Sequence, residues 1–323
     1  KLPEIAATPG ADLRYYYTTP SAGDAAHHPP GYYFVASLAL RPFVHASLAA
    51  QNYAARGTST LLGLVALLFI HAALRRLLPG RPGVAVGVTA AVALFPHWLM
   101  ICATIHPESY AAAVASATLW ALALVREQPS RGQRVALVGL LLGLLALGKM
   151  TMLPFCLAAA VTVLVLQSRH GLPWRTRVAH LALLGGVAAL VCGWWFVRNV
   201  LLYGQLMPSS DLMLGTTMHT RLFLRDGSQD MVAFLFIPQG QARYQLATAG
   251  AFRYFWCPGD WLPPAARPVM YSLGGLIWLT VPVGLWVGLR RRQADLAALW
   301  RPFVLPFLGA LALLYFMYLR WTV

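Results

Sequence analysis

Long apolar stretches alternate with short polar connections along most of this chain. Crossing a bilayer core takes about 20 mostly apolar helical residues. By that measure the pattern predicts about eight spanning helices, at roughly 57–77, 83–104, 108–125, 133–148, 151–168, 178–199, 268–289 and 302–320. The stretch at 133–148 is short, and its boundary with the next is weakly marked. Glycine and proline inside these runs are tolerated in lipid, where neighbouring helices re-satisfy the freed backbone groups. The stretch 31–53 differs. It opens after Pro29-Pro30, a good helix start, but Arg41, Pro42, His45, Gln51 and Asn52 interrupt its apolar character. It is expected to lie in the membrane interface, a depth that suits Tyr32, Tyr33 and Phe34. The region 203–267 mixes Gly, Pro, Gln, Asp and aromatic residues with short apolar runs and reads as an ordered external loop region. The predicted fold is all-α: a polytopic transmembrane helix bundle with an interfacial helix and an outer loop domain.

Charge orients this pattern. Arg75, Arg76 and Arg81 fall in one connection, and Arg126, Arg131 and Arg134 in the next on the same side. Arg169, Arg175 and Arg177 follow, then Arg290, Arg291, Arg292 and Arg301. Every second connection is short and basic, which marks that side as cytoplasmic. The other side collects an outer loop with a juxtamembrane helix at 1–56, the turn around His106–Ser109, the turn at Lys149 and the loop region 200–267. Between them lie a six-span bundle at 57–199 and two further spans at 268–323. This orientation predicts a plasma-membrane protein, the bacterial inner membrane being the example, with its active face periplasmic or extracellular.

Composition agrees. Hydrophobic residues make up 59% of the chain and charged residues 11%, where a soluble domain carries about a quarter charged. The net charge of +15 comes mainly from arginines in short connections that meet anionic headgroups. No basic stripe or known motif supports nucleic-acid binding. Cys102, Cys156, Cys192 and Cys257 show no CxxC or Cys/His spacing, so neither a disulfide framework nor a zinc site is expected. No Walker loop, GxGxxG or GxSxG is present. Both ends read as cut: the chain opens in a polar segment at Lys1 and stops at Val323 just after an apolar run.

The chemistry gathers on the less basic side. Of ten acids, only Glu127 and Asp295 fall on the basic side. Glu108, in HPES, starts a helix, where the dipole favours a carboxylate. It is either a helix-capping acid or a carboxylate that binds a metal or positions an acceptor nucleophile. Arg198 and Asn199 close a span at its outer end. Arg198 either snorkels to the interface or binds a lipid-linked phosphate with its planar guanidinium. Trp194, Trp195 and Tyr203 fit an interfacial belt or a substrate contact. Lys149 is a turn charge or a second phosphate contact, and Arg56, opening a span at the same face, has the same two readings. His27 and His28 precede the rigid Pro29-Pro30; adjacent in sequence, they do not suit one shared metal. Asp260 in FWCPGDW is a turn residue or a partner to sugar-stacking aromatics.

These segments carry a resemblance. HHPPGYY (27–33) resembles the HPPLYY-type segment in the first outer loop of C-fold membrane glycosyltransferases, the protein-mannosyltransferase and aminoarabinose-transferase-like superfamily. GWWFVRNVLLYGQLMP (193–208) is similar to their W-x-x-RN-x-x-x-YG-x-P segment. The span–HPES–span arrangement is similar to a second outer loop that carries an acid, and FRYFWCPGDW resembles a late outer-loop FW-x-x-x-G-W element. The order of these motifs is the stronger signal. The resemblance implies transfer of a sugar from a polyprenyl-phosphate donor to a membrane lipid, glycan or protein acceptor at the non-cytoplasmic face. It implies Glu108 as the second-loop acid and Arg198 as a donor-phosphate contact; Lys149 and Arg56 are the further candidate phosphate contacts, from their position at the same face. His27, His28, Tyr32, Tyr33, Asn199, Tyr203 and Asp260 would line the substrate. No cofactor is assigned, and a divalent metal ion is left open. In such enzymes a first-loop acid acts as base; that acid is expected upstream of Lys1, because Asp12 and Asp24 do not match its motif. A lipid or solute transporter, which would show mid-membrane charges and paired broken helices, and a non-catalytic scaffold of the same fold are the rival readings.

Overall fold

The computed structural model describes residues 29–204, Leu206, three positions at 268, 269 and 272, and the segment 299–312. The predicted loop region 207–267, the span at 268–289 and the end of the span at 302–320 lie outside these residues, apart from the isolated positions just given. The described part is all-helical. Its elements are α1 (Gly31–Leu40), a 3₁₀ turn (Arg41–Phe43), α2 (Leu48–Leu77), α3 (Pro82–Ala93), α4 (Pro96–Ala103) and α5 (Pro107–Glu127). They continue as α6 (Gly132–Ala146), a 3₁₀ turn (Met150–Met152), α7 (Leu153–Arg169) and α8 (Trp174–Tyr203). A short apolar helix, α9 (Pro302–Ala312), follows from a π-helical turn at Trp300–Val304 and packs on α7 through Phe155 and Phe307, with ring centroids 4.7 Å apart.

Among the described residues four helices are long and apolar enough to cross a membrane: α2, α5, α7 with its leading 3₁₀ turn, and α8. The count rises to five if the bent pair α3–α4 is one span. The eight expected from sequence are therefore not all found here, for two reasons. The late spans fall largely outside the described residues, and α6, at 15 residues, is shorter than a usual span. Yet α6 runs the length of α5. At one end Arg134 donates to the Leu124 carbonyl and pairs with Glu127 at 3.3 Å; at the other, Tyr110 donates to the Leu144 carbonyl at 3.3 Å.

Two further expectations are corrected. The second helix does not begin near 57. Ser47 caps it by accepting from the Ala50 N–H, the N-terminal role serine favours, so α2 starts at Leu48. Arg56 consequently lies well inside α2 on an exposed flank and does not open the span. The run at 83–104 is not one straight helix. It breaks at Phe95–Pro96 with a bend of 62°, because proline lacks the N–H needed to continue the ladder and holds the preceding residue extended; Phe95 sits at φ −69°, ψ 126°.

The helices form a row, α2–α5–α6–α8, with α7 against α5, α6 and α8. α5 is central: 67% of its apolar stretch is buried, against 11% for α8. Small side chains on α5, among them Ala113, Ser116, Ala117 and Ala121, let its neighbours approach closely. α6 meets α8 through Gly139 and Gly143, spaced as in a GxxxG contact. A Cβ at Gly143 would stand 2.6 Å from Val191 Cβ and 2.8 Å from the Ala188 carbonyl oxygen.

This packing gives the bundle two chemically different ends. One gathers arginines: Arg76 pairs with Glu127 at 2.7 Å, Arg134 shares the same carboxylate, and Arg126 donates to the Leu77 carbonyl. Gln167 of α7 ties that end together, donating to the Pro129 carbonyl at 3.2 Å and lying 2.8 Å from His180 Nδ1. The other end holds α1, α4, Glu108, Lys149 and the close of α8.

Candidate functional site

The site end is built on the start of α5. His106 precedes Pro107, and its Nδ1 accepts the Glu108 N–H at 3.3 Å, capping the helix. Glu108 is therefore not the cap but a first-turn acid beside the positive helix end. Its Oε1 accepts from Lys149 Nζ, which stands in the turn between α6 and α7. Its Oε2 faces His97 Nε2 at 3.8 Å and His106 Nδ1 at 3.9 Å. Both members of the ion pair are largely but not wholly withdrawn from solvent, Glu108 at 30% and Lys149 at 21% side-chain exposure. The acid is thus half-sheltered and still reachable.

The Pro-Pro-Gly-Tyr-Tyr segment frames this cluster. Pro29 is fully buried. The Gly31 N–H donates to the Leu147 carbonyl at 2.7 Å, two residues before Lys149. A side chain at Gly31 would meet that carbonyl and Tyr110, so glycine permits the docking. Tyr32 is buried, with its hydroxyl 3.0 Å from Ser59 Oγ on α2, and burial raises its pKa above the ordinary range. Tyr33 is 39% exposed and packs edge-on against Tyr32. Of these two tyrosines, both expected to contact substrate, only Tyr33 presents an open surface.

A second group lies at the close of α8. The Arg198 guanidinium carbon sits 4.9 Å from the Trp195 ring centre and 5.9 Å from that of Tyr203, distances at which the ring faces attract a cation. Arg198 Nη1 also donates to Asn199 Oδ1 at 3.3 Å. Asn199 is fully buried, and its amide nitrogen donates to the Leu206 carbonyl at 3.3 Å. Asn199 therefore fixes the chain leaving the helix, just past Gly204 in its left-handed conformation. Trp195 belongs to one apolar cluster with Ala146, Leu147 and Leu153, the residues around Lys149. The two groups share this hydrophobic joint.

The expected site residues thus divide. Glu108, Lys149, Tyr32 and Tyr33 gather around α5, and Arg198, Asn199 and Tyr203 around Trp195. Lys149, read as a turn charge or a phosphate contact, stands in the turn before α7 and pairs with Glu108. Arg56 is not drawn into either group. His27, His28 and Asp260 lie outside the described residues. The sequence reading missed His97. Its signal was the Phe-Pro-His-Trp stretch, 95–98, a proline followed by an ionisable residue inside an apolar run. Among the described residues no group of three or more His, Cys, Asp or Glu side chains is arranged to hold a metal ion.

His106 makes the site end pH-sensitive. Burial is the largest influence on its pKa and lowers it; Glu108 opposes this, while Lys149 and His97 push further down. In the unfolded chain a histidine protonates near about 6.5. The folded value lies lower, so the stabilisation is complete above about 6.5 and is lost as pH falls through the folded value. Protonation also turns the capping acceptor into a donor. Thermal stability is expected to fall as pH drops below about 6, and His106→Asn, which caps without titrating, is expected to flatten that dependence in a melting series.

No curated protein and no solved structure matches the chain. One family model does, over residues 27–195, a stretch that holds the Pro-Pro-Gly-Tyr-Tyr segment, the Glu108 cluster and Trp195, and that amounts to just over half of the chain. The chain belongs to the dolichyl-phosphate-mannose-protein mannosyltransferase family of membrane glycosyltransferases.

Proposed function

We propose that this protein moves a sugar from a polyprenyl-phosphate donor to an acceptor at the non-cytoplasmic face of the plasma membrane. The observation that carries the reading is the gathering of a half-sheltered carboxylate, Glu108, and a stacked guanidinium, Arg198, at the bundle end opposite the arginine clasp. The clasp end takes the cytoplasmic side by the positive-inside rule. Glu108 accepts a hydrogen bond from the acceptor hydroxyl or amine and aims it at the anomeric carbon. An acid ion-paired to lysine is a weak base, so its contribution is chiefly orientation and electrostatics. As the new bond to carbon forms, the carbon–oxygen bond to phosphate breaks. The polyprenyl phosphate leaves with the electron pair, and the acceptor's proton departs along the Glu108 hydrogen bond. Arg198 receives the developing phosphate charge in a geometry fixed by Trp195, Tyr203 and Asn199, and such preorganised charge is often the largest catalytic effect. The broken pair α3–α4 is the feature a transporter would use, but here α4 brings a histidine to the acid cluster.

The test is transfer from a panel of radiolabelled polyprenyl-phosphate sugars to membrane acceptors by the full-length protein in proteoliposomes. One donor is expected to give labelled product with matching release of polyprenyl phosphate. Folded protein that yields product from none of them would sink the proposal. Arg198→Lys keeps the charge but loses the flat stack and forked donors. Hydrogen bonds to charged groups contribute about 1.5–3 kcal/mol, so the donor KM is expected to rise roughly tenfold or more in steady-state assays.

A further inference from the structure

We propose that His97 is a positioning residue that holds Glu108 in its working orientation; this rests on the proposed role of Glu108 in transfer. The arrangement starts in the sequence. An apolar run of this length would cross as one helix and carry His97 past the site on a straight path. Pro96 prevents that, and the 62° bend starts a new helix, α4, with His97 in its first turn. The histidine side chain is 18% exposed, and its Nε2 stands 3.8 Å from Glu108 Oε2.

The element that delivers it is itself fixed. At the far end of α4 the Cys102 carbonyl accepts from Thr60 Oγ1 of α2 at 2.8 Å. Gly63 of α2 faces the Cys102 sulfur so closely that no Cβ fits between them. α4 therefore reaches from α2 to Glu108 as a strut pinned at one end. The two carboxylate oxygens then have separate holders: Lys149 on Oε1 and His97 on Oε2, while His106 Nδ1 is taken up in accepting the Glu108 N–H. These holders come from two different parts of the chain. A carboxylate restrained at both oxygens keeps its direction, and small losses of alignment at a reacting centre are costly.

The experiment uses the full-length protein in proteoliposomes with the donor that the wild type turns over. His97→Ala is expected to lower kcat by roughly 10- to 100-fold with the donor KM nearly unchanged. His97→Gln, which keeps a donor towards the carboxylate, is expected to restore most of the loss. In a Glu108→Gln background, His97→Ala is expected to add nothing. Carbodiimide labelling of Glu108, followed by mass spectrometry, supplies a readout that needs no turnover. The reagent takes the protonated acid, so labelling is expected to speed up several-fold in His97→Ala and to return to the slow rate in His97→Gln. Full kcat in His97→Ala, a loss that simply multiplies with that of Glu108→Gln, or unchanged labelling would each overturn the proposal. A wild type that turns over no donor while labelling still responds to His97 would overturn the transfer reading instead, leaving the His97–Glu108 contact established.

Discussion

Glu108→Gln is expected to reduce sugar transfer by at least about 100-fold, the scale of losing one preorganised polar contact at the reacting centre. The variant should still insert in the membrane and elute as a single species. Glutamine fills the same volume but cannot offer a charged acceptor to the incoming hydroxyl or amine. It also leaves Lys149 without its counter-charge, and that second effect needs separating from the first. Breaking a sheltered ion pair on one side is more damaging than removing both partners. The double variant Glu108→Gln/Lys149→Met therefore serves as the control. If the acid works on the acceptor, the double variant recovers thermal stability but not transfer. If Glu108 is only a structural partner of Lys149, the double variant recovers both, and the site assignment falls. Transfer rates and melting curves on the same preparations decide between these outcomes.

Gly143→Leu is expected to abolish a well-packed protein altogether. The Cβ alone would stand 2.6 Å from Val191 Cβ and 2.8 Å from the Ala188 carbonyl oxygen, and neither a β-carbon nor a backbone oxygen moves cheaply. Overpacking costs about 1–3 kcal/mol at sites that partly yield, and this one has little means to yield. Gly139, one turn earlier, sits as close: its Cβ would come 2.5 Å from the Leu184 carbonyl oxygen. Separating α6 from α8 would also detach Trp195 from Leu147 and so disconnect the two halves of the site. Gly185→Leu, on the same helix α8 but with nothing within 4 Å of its Cβ, is the control and is expected to behave as wild type. Size-exclusion profiles in detergent check both; a monodisperse Gly143→Leu protein with wild-type thermal stability would refute the close contact.

Much of this was legible in the sequence for physical reasons. Apolar runs bounded by arginines gave α5, α7 and most of α2 and α8, because lipid allows helix and little else. The arginine spacing sorted alternate connections to one end, and the Arg76–Glu127–Arg134 clasp joins two of those connections. Glu108 stood out because a carboxylate at a membrane boundary is unusual. What stayed hidden depends on contacts distant in sequence. Nothing local shows that Lys149 would reach an acid 41 residues earlier, so its pairing with Glu108 is absent from the two readings, turn charge or phosphate contact, that its position offers. The serine cap at 47 was overlooked because the arginine nine residues later looked like a boundary. His97 was lost for a similar reason: counting apolar residues treats the 83–104 run as one rod, although Pro96 already forbids it. The burial of Tyr32 goes with the docking of Gly31 on Leu147, which no periodicity reports.

The unequal helix lengths have a consequence for how substrates arrive. At about 1.5 Å per residue, α2 and α8, each of 30 residues, are about 45 Å long, while α6 with its 15 residues is only about 22 Å. α6 ends level with Trp195, so the last two turns of α8 rise past it, and the first turns of α2 stand above the Tyr32–Ser59 contact on the other side. Among the described residues the site end is therefore stepped: a low floor carrying Lys149 and Glu108 between two taller walls, one of which bears Arg198 and Tyr203. Under the proposed transfer, such a step would let an acceptor coming from water and a sugar carried on a lipid phosphate meet with neither leaving its own phase.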